Sequence, residues 1–137
     1  MELSFIVIGN IHRFSLYDEN KYPIGFIELV ICTESNEINL RYLHIKEHFR
    51  GKGYGLRLMA DGLSHMMRTF PKIERYLVDD MTDRCTDASG NNIYEKVGFE
   101  YINAERMFNG STWVWKLGGP ERILNINKWR EFIRTFY

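Results

Sequence analysis

The sequence predicts an α+β protein built on one mixed sheet. Segments rich in β-branched and aromatic residues follow one another in the first third of the chain, which is typical of consecutive strands. A helical period of three and four residues appears only after a glycine-rich segment, and from there strand-like and helix-like segments alternate. Together these patterns favour helices packed against a sheet. The chain has 137 residues, and we expect them to form a single domain, 1–137.

The N-terminal part of the chain is predicted to be a series of strands. The predicted strands are residues 5–8, 13–17, 24–31 and 38–45. The stretch 18–23 contains Asp, Asn and Pro and suits a hairpin turn, and a polar turn at 33–36 leads into the last of these strands.

A long amphipathic helix is predicted next. Its apolar stripe consists of Leu56, Met59, Leu63, Met66 and Phe70, and Pro71 ends it. We interpret this stripe as core packing and not as a cofactor site.

The remaining segments are predicted to alternate. They are a strand at 75–81, a helix at 89–97 and strands at 99–108 and 111–117. Asn109-Gly110, between the last two strands, is the commonest hairpin signal. After Pro120 the apolar residues again follow a helical stripe, so we expect a C-terminal helix over about residues 120–136.

The composition excludes several functional classes. The formal net charge is zero and 45% of the residues are hydrophobic, which argues against disorder and against broad attraction to nucleic acid. The two cysteines, Cys32 and Cys85, show neither a disulfide framework nor a metal-binding pattern, so we expect free thiols in a reduced cytoplasm. We find no signal peptide and no run of ~20 apolar residues, and we expect no membrane association.

The run Arg50-Gly51-Lys52-Gly53-Tyr54-Gly55 is the strongest functional signal. It lies between a predicted strand and a predicted helix, where glycines let the backbone approach a ligand and the helix N-terminus attracts anions. We therefore expect it to bind phosphate oxygens. It is not a nucleotide P-loop, because no Ser or Thr follows a Gly-Lys pair. It is not a dinucleotide fingerprint, because Leu56 occupies the position of the last glycine.

Two motifs together resemble one family. The spacing R-x-x-G-x-G, set by Arg50, Gly53 and Gly55, resembles the coenzyme A pyrophosphate loop of the GNAT N-acetyltransferases. The segment 94–99 resembles the Y-E-K-x-G-F motif of the same family. Local chemistry agrees independently, since Gly98 suits a helix C-terminus, where a residue of positive φ is preferred. The resemblance covers about residues 24–117, which is most of the chain.

The resemblance implies the GNAT (acyl-CoA N-acyltransferase) fold and an enzyme that uses acetyl-CoA as acyl donor, without a metal. An amine would attack the bound thioester directly. The implied coenzyme-binding residues are Leu43, His44, Ile45, Arg50, Gly51, Lys52, Gly53, Tyr54, Gly55 and Leu56. Within this set, the Ile45 N–H is expected to hold the thioester carbonyl oxygen and to stabilise the oxyanion.

The family places a tyrosine at the thioester sulfur, which implies Tyr94 as general acid. The general base remains open. Many members carry a glutamate at the position of Asn39, which cannot act as a base, so Asp80 is our first candidate and Glu37 our second. Strand alternation predicts that the His44 side chain lies on the face opposite Asn39, where it packs.

The chain departs from the family pattern at both ends. Members typically carry two helices between the first two strands, and these shape the acceptor side, but here only about ten residues precede the predicted hairpin. An open acceptor side favours a protein lysine or a protein N-terminus over a small amine. The added C-terminal helix is expected to cover the sheet face left bare; the alternative is a helix that binds a partner or a membrane.

A second function stays open at this point. Because the family's carboxylate is missing at Asn39, the chain also fits a non-catalytic GNAT-fold module that binds coenzyme A or a protein partner. Tyr94 and the glycine run favour the enzyme. A dimer is compatible with either function.

Overall fold

The computed structural model describes residues 1–79, 92–102, 104–108, 113–117 and 121–137, and for 104–108 and 113–117 it describes the backbone alone. The chain divides into two compact units, Met1–Tyr76 and Leu77–Tyr137. The predicted α+β class is confirmed, because both units contain strands and helices. That the whole chain acts as one domain stays a prediction.

The first unit is an antiparallel meander with one long helix. Its elements are β1 (Glu2–Ile8), β2 (Ile11–Tyr17), β3 (Pro23–Cys32), β4 (Glu37–Ile45) and α1 (Tyr54–Thr69), with a 3₁₀ turn at Glu47–Phe49 before the helix. Each strand pairs antiparallel with the one before it, as predicted. β1 passes to β2 through Gly9 and Asn10 alone, so the two helices that the family usually carries there are absent, which confirms the prediction.

The core of the first unit lies between α1 and one face of the meander. Met59, Leu63 and Met66 of the predicted stripe are buried there, and each such side chain stabilises the fold by about 2 kcal/mol. The sheet contributes Phe14, Leu16, Ile24, Ile27, Leu29, Ile38 and Leu40. Leu56 and Phe70, at the two ends of the stripe, are only half-buried.

A β-bulge interrupts the pairing of β3 with β4. Glu28 pairs with Tyr42 and Leu29 pairs with Leu40, so Arg41 is an extra residue in β4. The extra residue reverses the alternation of side chains beyond it. Since Asn39 lies opposite Val30 and His44 lies opposite Phe26, Asn39 and His44 share one face of the sheet. The prediction that His44 packs on the opposite face is therefore wrong, and its side chain is exposed.

The second unit combines three paired strands, a separate hairpin and two helices. Its elements are the end of β5 (Arg75–Asp79), α2 (Ile93–Val97), β6 (Phe99–Tyr101), β7 (Ala104–Phe108), β8 (Trp113–Leu117), β9 (Glu121–Leu124) and α3 (Ile126–Phe136). β9 lies between β5 and β6 and is antiparallel to both. β7 and β8 form the predicted antiparallel hairpin, whose connecting residues 109–112 lie outside the described part of the chain.

Two predicted elements of the second unit are corrected. The single strand expected over 99–108 is two strands with different partners, because Phe99 pairs with Leu124 of β9 while Phe108 pairs with Trp113 of β8. The helix expected from about residue 120 begins only at Ile126, because 121–124 form β9. Helical periodicity could not exclude a short strand at 121–124. The contacts that hold this strand are non-local, since buried Arg122 donates from Nη1 to the Phe99 carbonyl at 2.9 Å.

The C-terminal helix α3 packs within the second unit. Trp129 is its one buried residue, and the helix contacts α2. The Asn125 N–H donates to the Gly98 carbonyl at 2.9 Å, and Lys128 forms an ion pair with Glu100. No helix in the described ranges is both long enough and apolar enough to cross a membrane.

Candidate active site

The glycine run forms a turn that needs left-handed backbone conformations. Gly51 has φ of +76° and Gly53 has φ of +84°. A residue with a side chain is strained in this region by roughly 1–2 kcal/mol. An added Cβ at either position would meet no atom within 4 Å. The requirement for glycine is therefore conformational, and the space beside the turn is open for a ligand.

The start of α1 lacks the side-chain cap that the other two described α-helices have. Gly53 is its N-cap residue, no side chain accepts a hydrogen bond from its first turn, and that turn contains no acidic residue. By contrast, the side chains of Asn92 and Asn125 each accept two backbone N–H groups at the starts of α2 and α3. α1 therefore directs its first N–H groups and the positive end of its dipole towards the open space, an arrangement that suits an anion.

The two basic residues of the turn are exposed beside it. Arg50 donates from Nε to the Ile45 carbonyl at 2.9 Å and so ties the turn to the end of β4. The Lys52 ammonium lies 5.8 Å from the centre of the Phe49 ring, which in turn meets Tyr54 edge to face. Both positive charges stay at the surface next to the glycines, where they add to the attraction for phosphate.

The backbone at the end of β4 points in defined directions. Lys46 donates its N–H to the Ile24 carbonyl at 2.9 Å, so these two residues form a hydrogen-bonded pair of the β3–β4 ladder. Such pairs alternate in an antiparallel ladder, so the Ile45 N–H points away from β3 and the His44 N–H points towards it. Of the three strand residues predicted to bind the coenzyme, Leu43 and Ile45 direct their backbone N–H groups away from β3.

Gly25 sets the position of this strand end, and sequence reasoning missed it. It lies in β3 opposite Ile45. A Cβ at Gly25 would lie 2.3 Å from the His44 carbonyl oxygen and 2.7 Å from Ile45 Cδ1, so no other residue fits. The available signal was the glycine inside a predicted strand, which marks a bulge or a close approach of two backbones.

The second motif folds as the short helix that it predicts. Tyr94 lies in the first turn of α2, is 9% exposed, and meets Phe99 edge to face at 6.3 Å between ring centres. The Tyr94 N–H donates to Asn92 Oδ1 at 2.8 Å. Gly98 ends the helix with φ of +119°, as expected from its place in the motif, and Lys96 lies in the last turn.

Of the two candidate general bases, Glu37 lies within the described residues and Asp80 does not. Glu37 Oε1 lies 2.8 Å from Arg75 Nη1, which holds the carboxylate in an ion pair. Glu37 begins β4 and Ile45 ends it, so at ~3.3 Å per residue the two lie about 26 Å apart. This separation disfavours Glu37 as the base of a reaction at Ile45. Asp80, the first candidate, lies outside the described residues, as does Cys85.

A cavity of about 320 Å³ in the first unit is separate from the glycine turn. Its walls include Ile31, Phe70, Pro71 and Ile73, at the C-terminal end of α1. Because the 16 residues of α1 span ~24 Å, the cavity and the turn lie at opposite ends of the helix. It takes no part in the candidate site.

Both motifs fall within one match to a known family. The family described as acetyltransferase (GNAT) domain matches residues 10–101, which include the glycine turn and the segment 94–99. The chain belongs to the GNAT acetyltransferase family. The family and the enzyme class predicted from the two motifs are thereby confirmed. The family uses acetyl-CoA as its cosubstrate.

Solved structures of GNAT enzymes share the fold of this chain. It is similar to mutant forms of the spermidine/spermine N-acetyltransferase SpeG of Vibrio cholerae, with a TM-score of 0.62, 19% identity, and coverage of 90% of this chain and 71% of that one. It is also similar to nourseothricin acetyltransferase, with a TM-score of 0.57, 15% identity and coverage of 85% and 65%. For Tetrahymena GCN5 the TM-score is 0.54, with 18% identity and coverage of 86% and 71%. No curated protein matched the sequence.

Proposed function

We propose that this GNAT protein transfers the acetyl group of acetyl-CoA to a primary amine, with a protein lysine or a protein N-terminus as the acceptor. The observation that carries the proposal is the glycine turn. It combines two left-handed glycines with a helix start that no described side chain caps, and it follows the end of β4, whose Ile45 N–H points away from β3, after one 3₁₀ turn. These are the elements needed to hold a pyrophosphate and, beside it, a thioester.

In this proposal the first unit binds the donor. The backbone N–H groups of residues 51–56 hold the pyrophosphate, and Arg50 and Lys52 add positive charge. The backbone groups of Leu43 and Ile45 that point away from β3 hold the pantetheine arm. The Ile45 N–H donates to the thioester carbonyl oxygen, and stabilisation of the developing oxyanion by such a donor is worth about 3 kcal/mol.

The proton transfers are assigned to two further residues. The neutral acceptor amine attacks the carbonyl carbon, a C–N bond forms and the C–S bond breaks. Asp80 takes a proton from the attacking nitrogen, and Tyr94 gives a proton to the departing thiolate. Asp80 is preferred over Glu37 because Arg75 pairs with Glu37 at the far end of β4.

A large acceptor is supported by the surface beside Ile45. β1 and β2 are joined without the two helices that would enclose the acceptor. Beyond the bulge, Tyr42 is 52% exposed and His44 is exposed as well. Similar solved structures include, by their names, acetyltransferases of a polyamine and of nourseothricin, so small amines form the second acceptor class to test.

The proposed compartment of the reaction is the cytoplasm. Cys32 is a free thiol, which is compatible with a reducing compartment.

The first test is a calorimetric titration of the protein with acetyl-CoA in the absence of metal. We expect saturable binding, with the free energy of unfolding raised by about 2.7 kcal/mol at a hundredfold excess over the dissociation constant. Acetylated products are then identified by mass spectrometry after incubation with lysine-containing peptides, peptides with free or blocked N-termini, and spermidine. Absence of binding at millimolar acetyl-CoA would refute the proposal.

A Tyr94→Phe variant separates the enzyme from a module that only binds coenzyme A. If Tyr94 is the general acid, kcat falls by roughly a hundredfold or more while the dissociation constant of acetyl-CoA stays within about twofold. Tyr22→Phe, at a 65% exposed position, is the matched control. Binding without turnover in the wild-type protein, against every acceptor class, would favour the module instead.

A further inference from the structure

β1 exposes an unusual amount of apolar surface. All of its residues are exposed, and five of them are large and apolar. These five are Leu3, Phe5, Ile6, Val7 and Ile8, with exposures of 38%, 45%, 56%, 49% and 67%. Large apolar side chains that are exposed together along one strand of a folded protein indicate an interaction surface.

The exposed side chains of β1 lie on both faces of the strand. Leu3, Phe5 and Val7 share the face on which α1 packs, since their partners on β2 are buried. Ile6 and Ile8 lie on the other face. A groove for a helix would need one apolar face, whereas a neighbouring strand would contact both.

β1 also lacks the features that usually protect an edge strand. Only β2 pairs with it among the strands of the described part of the chain. Its register with β2 runs from Glu2 to Ile8 without a bulge, it contains no Pro or Lys, and its one charged residue, Glu2, lies at its end. Such an edge presents a row of backbone N–H and C=O groups, which select a β-strand as partner.

We propose that two copies of this chain form a dimer through β1, paired antiparallel and edge to edge about a twofold axis. In this arrangement the β1 edge of one copy is complementary to the β1 edge of the other copy. With the axis at Phe5, Leu3 of one copy lies opposite Val7 of the other on the α1 side. The two Glu2 residues lie six positions away from each other along the strand, which at ~3.3 Å per residue is about 20 Å. The formal net charge of zero leaves no overall repulsion between copies.

The arrangement closes on itself. Each copy uses its free β1 edge, so twofold pairing yields a dimer and not a filament. A pairing limited to one strand of seven residues buries less than the ~800 Å² per partner of a standard stable interface. The association is therefore reversible and depends on protein concentration.

Sedimentation velocity of the wild-type chain over about a hundredfold concentration range is the primary measurement. We expect a monomer at the lowest concentration and a dimer at the highest. Hydrogen exchange of the β1 amides should slow in parallel, because the outward N–H groups become paired. A monomer at every concentration, or a dimer without added protection of β1, would overturn the proposal.

The double variant Ile6→Glu, Ile8→Glu tests the interface. In the monomer the new carboxylates are exposed, and residue 6 lies opposite Arg13, so the fold is retained. Across the proposed interface residue 8 lies opposite Glu2 of the other copy, where it meets a like charge, and residue 6 lies opposite Ser4, where an apolar contact surface is replaced by a carboxylate, so we expect the dimer dissociation constant to rise at least tenfold. Tyr22→Glu replaces an apolar residue of similar exposure outside β1 and should leave the dimer unchanged. If the dimer dissociation constant rose equally in both variants, or did not rise in the double variant, the dimer contact would lie outside β1. A thermal melt of each variant verifies folding.

Discussion

At the scale of single residues, the candidate site depends on glycines for two different reasons. Gly51 and Gly53 adopt left-handed conformations beside open space. Gly25 has an ordinary φ, and the carbonyl oxygen of His44 occupies the space where its Cβ would lie. The first kind of requirement is local: the sequence motif predicted glycines there, for close approach to a ligand, and the structure adds the left-handed conformation. The second arises from a neighbouring strand and was not predicted.

Replacing Gly53 by Ala should distinguish the backbone strain that any side chain causes at positive φ from the loss of acetyl-CoA binding. Gly9→Ala is a matched control, because Gly9 has φ of +60° and nothing within 4 Å of an added Cβ, yet lies in the β1–β2 turn. Both variants should lose roughly 1–2 kcal/mol of stability in chemical denaturation. Only Gly53→Ala should also raise the dissociation constant of acetyl-CoA, by about tenfold, in a calorimetric titration. Equal binding by the two variants would show that the turn does not hold the coenzyme.

Asn39 and His44 show how far reasoning from single residues reached, because it succeeded for the first and failed for the second. Asn39 was identified correctly as a residue without base chemistry, and its Nδ2 donates to Cys32 Sγ at 3.7 Å. The orientation of His44 was predicted from uninterrupted alternation. The bulge at Arg41 lies between the two residues and reverses the alternation, and nothing in the residue types there announces it.

At the scale of elements, contacts on either side of the glycine turn fix the positions of β4 and α1. Arg50 ties the turn to the Ile45 carbonyl, and α1 starts at Tyr54 directly after Gly53. On the other side, the clearance at Gly25 allows β3 to approach the end of β4. The direction of the Ile45 N–H, away from β3, is therefore a property of the β3–β4 ladder as well as of the turn.

Gly25→Ala should disturb this ladder. A Cβ 2.3 Å from the His44 carbonyl oxygen must displace backbone, so we expect a loss of more than about 2 kcal/mol of stability and weaker binding of acetyl-CoA. Gly62→Ala in α1 is the control, since its nearest neighbour is a methyl group of Ile27 at 3.3 Å and alanine favours the helix by up to about 1 kcal/mol. Denaturant unfolding and calorimetry check both effects. A Gly25→Ala variant with wild-type stability would contradict the close approach.

At the scale of the whole molecule, stability should depend on pH through a buried histidine. His12 is 6% exposed, and its Nδ1 has no hydrogen-bond partner in the described part of the chain. Burial, and next the charge of His65, lower the pKa of His12 below its usual value of 6.5. The folded state therefore keeps His12 neutral at pH values where the unfolded chain binds a proton.

The resulting prediction concerns the acid side of neutrality. Above pH 6.5 the contribution of His12 is complete, and the free energy of unfolding falls as the pH decreases from there through the lowered pKa of the folded state. Denaturant unfolding at a series of pH values should show that His12→Phe reduces this fall, whereas His48→Phe, at an exposed position, does not. Identical pH dependence in the wild-type and His12→Phe proteins would assign the effect to other groups.

The sequence by itself determined the features that depend on neighbouring residues. They are the glycine turn, the helix that follows it, the Gly98 terminus of α2 and the family. Backbone conformation at glycines and helix ends is a local property, so short motifs suffice to predict it.

Only the tertiary structure decided which segments pair and in what register. It placed β9 between β5 and β6, where a helix was expected, inserted Arg41 as a bulge and brought β3 onto the end of β4 at Gly25. It also left β1 as an exposed edge. Pairing joins residues far apart in the chain, and its free energy comes from burial and backbone hydrogen bonds that local sequence patterns do not contain.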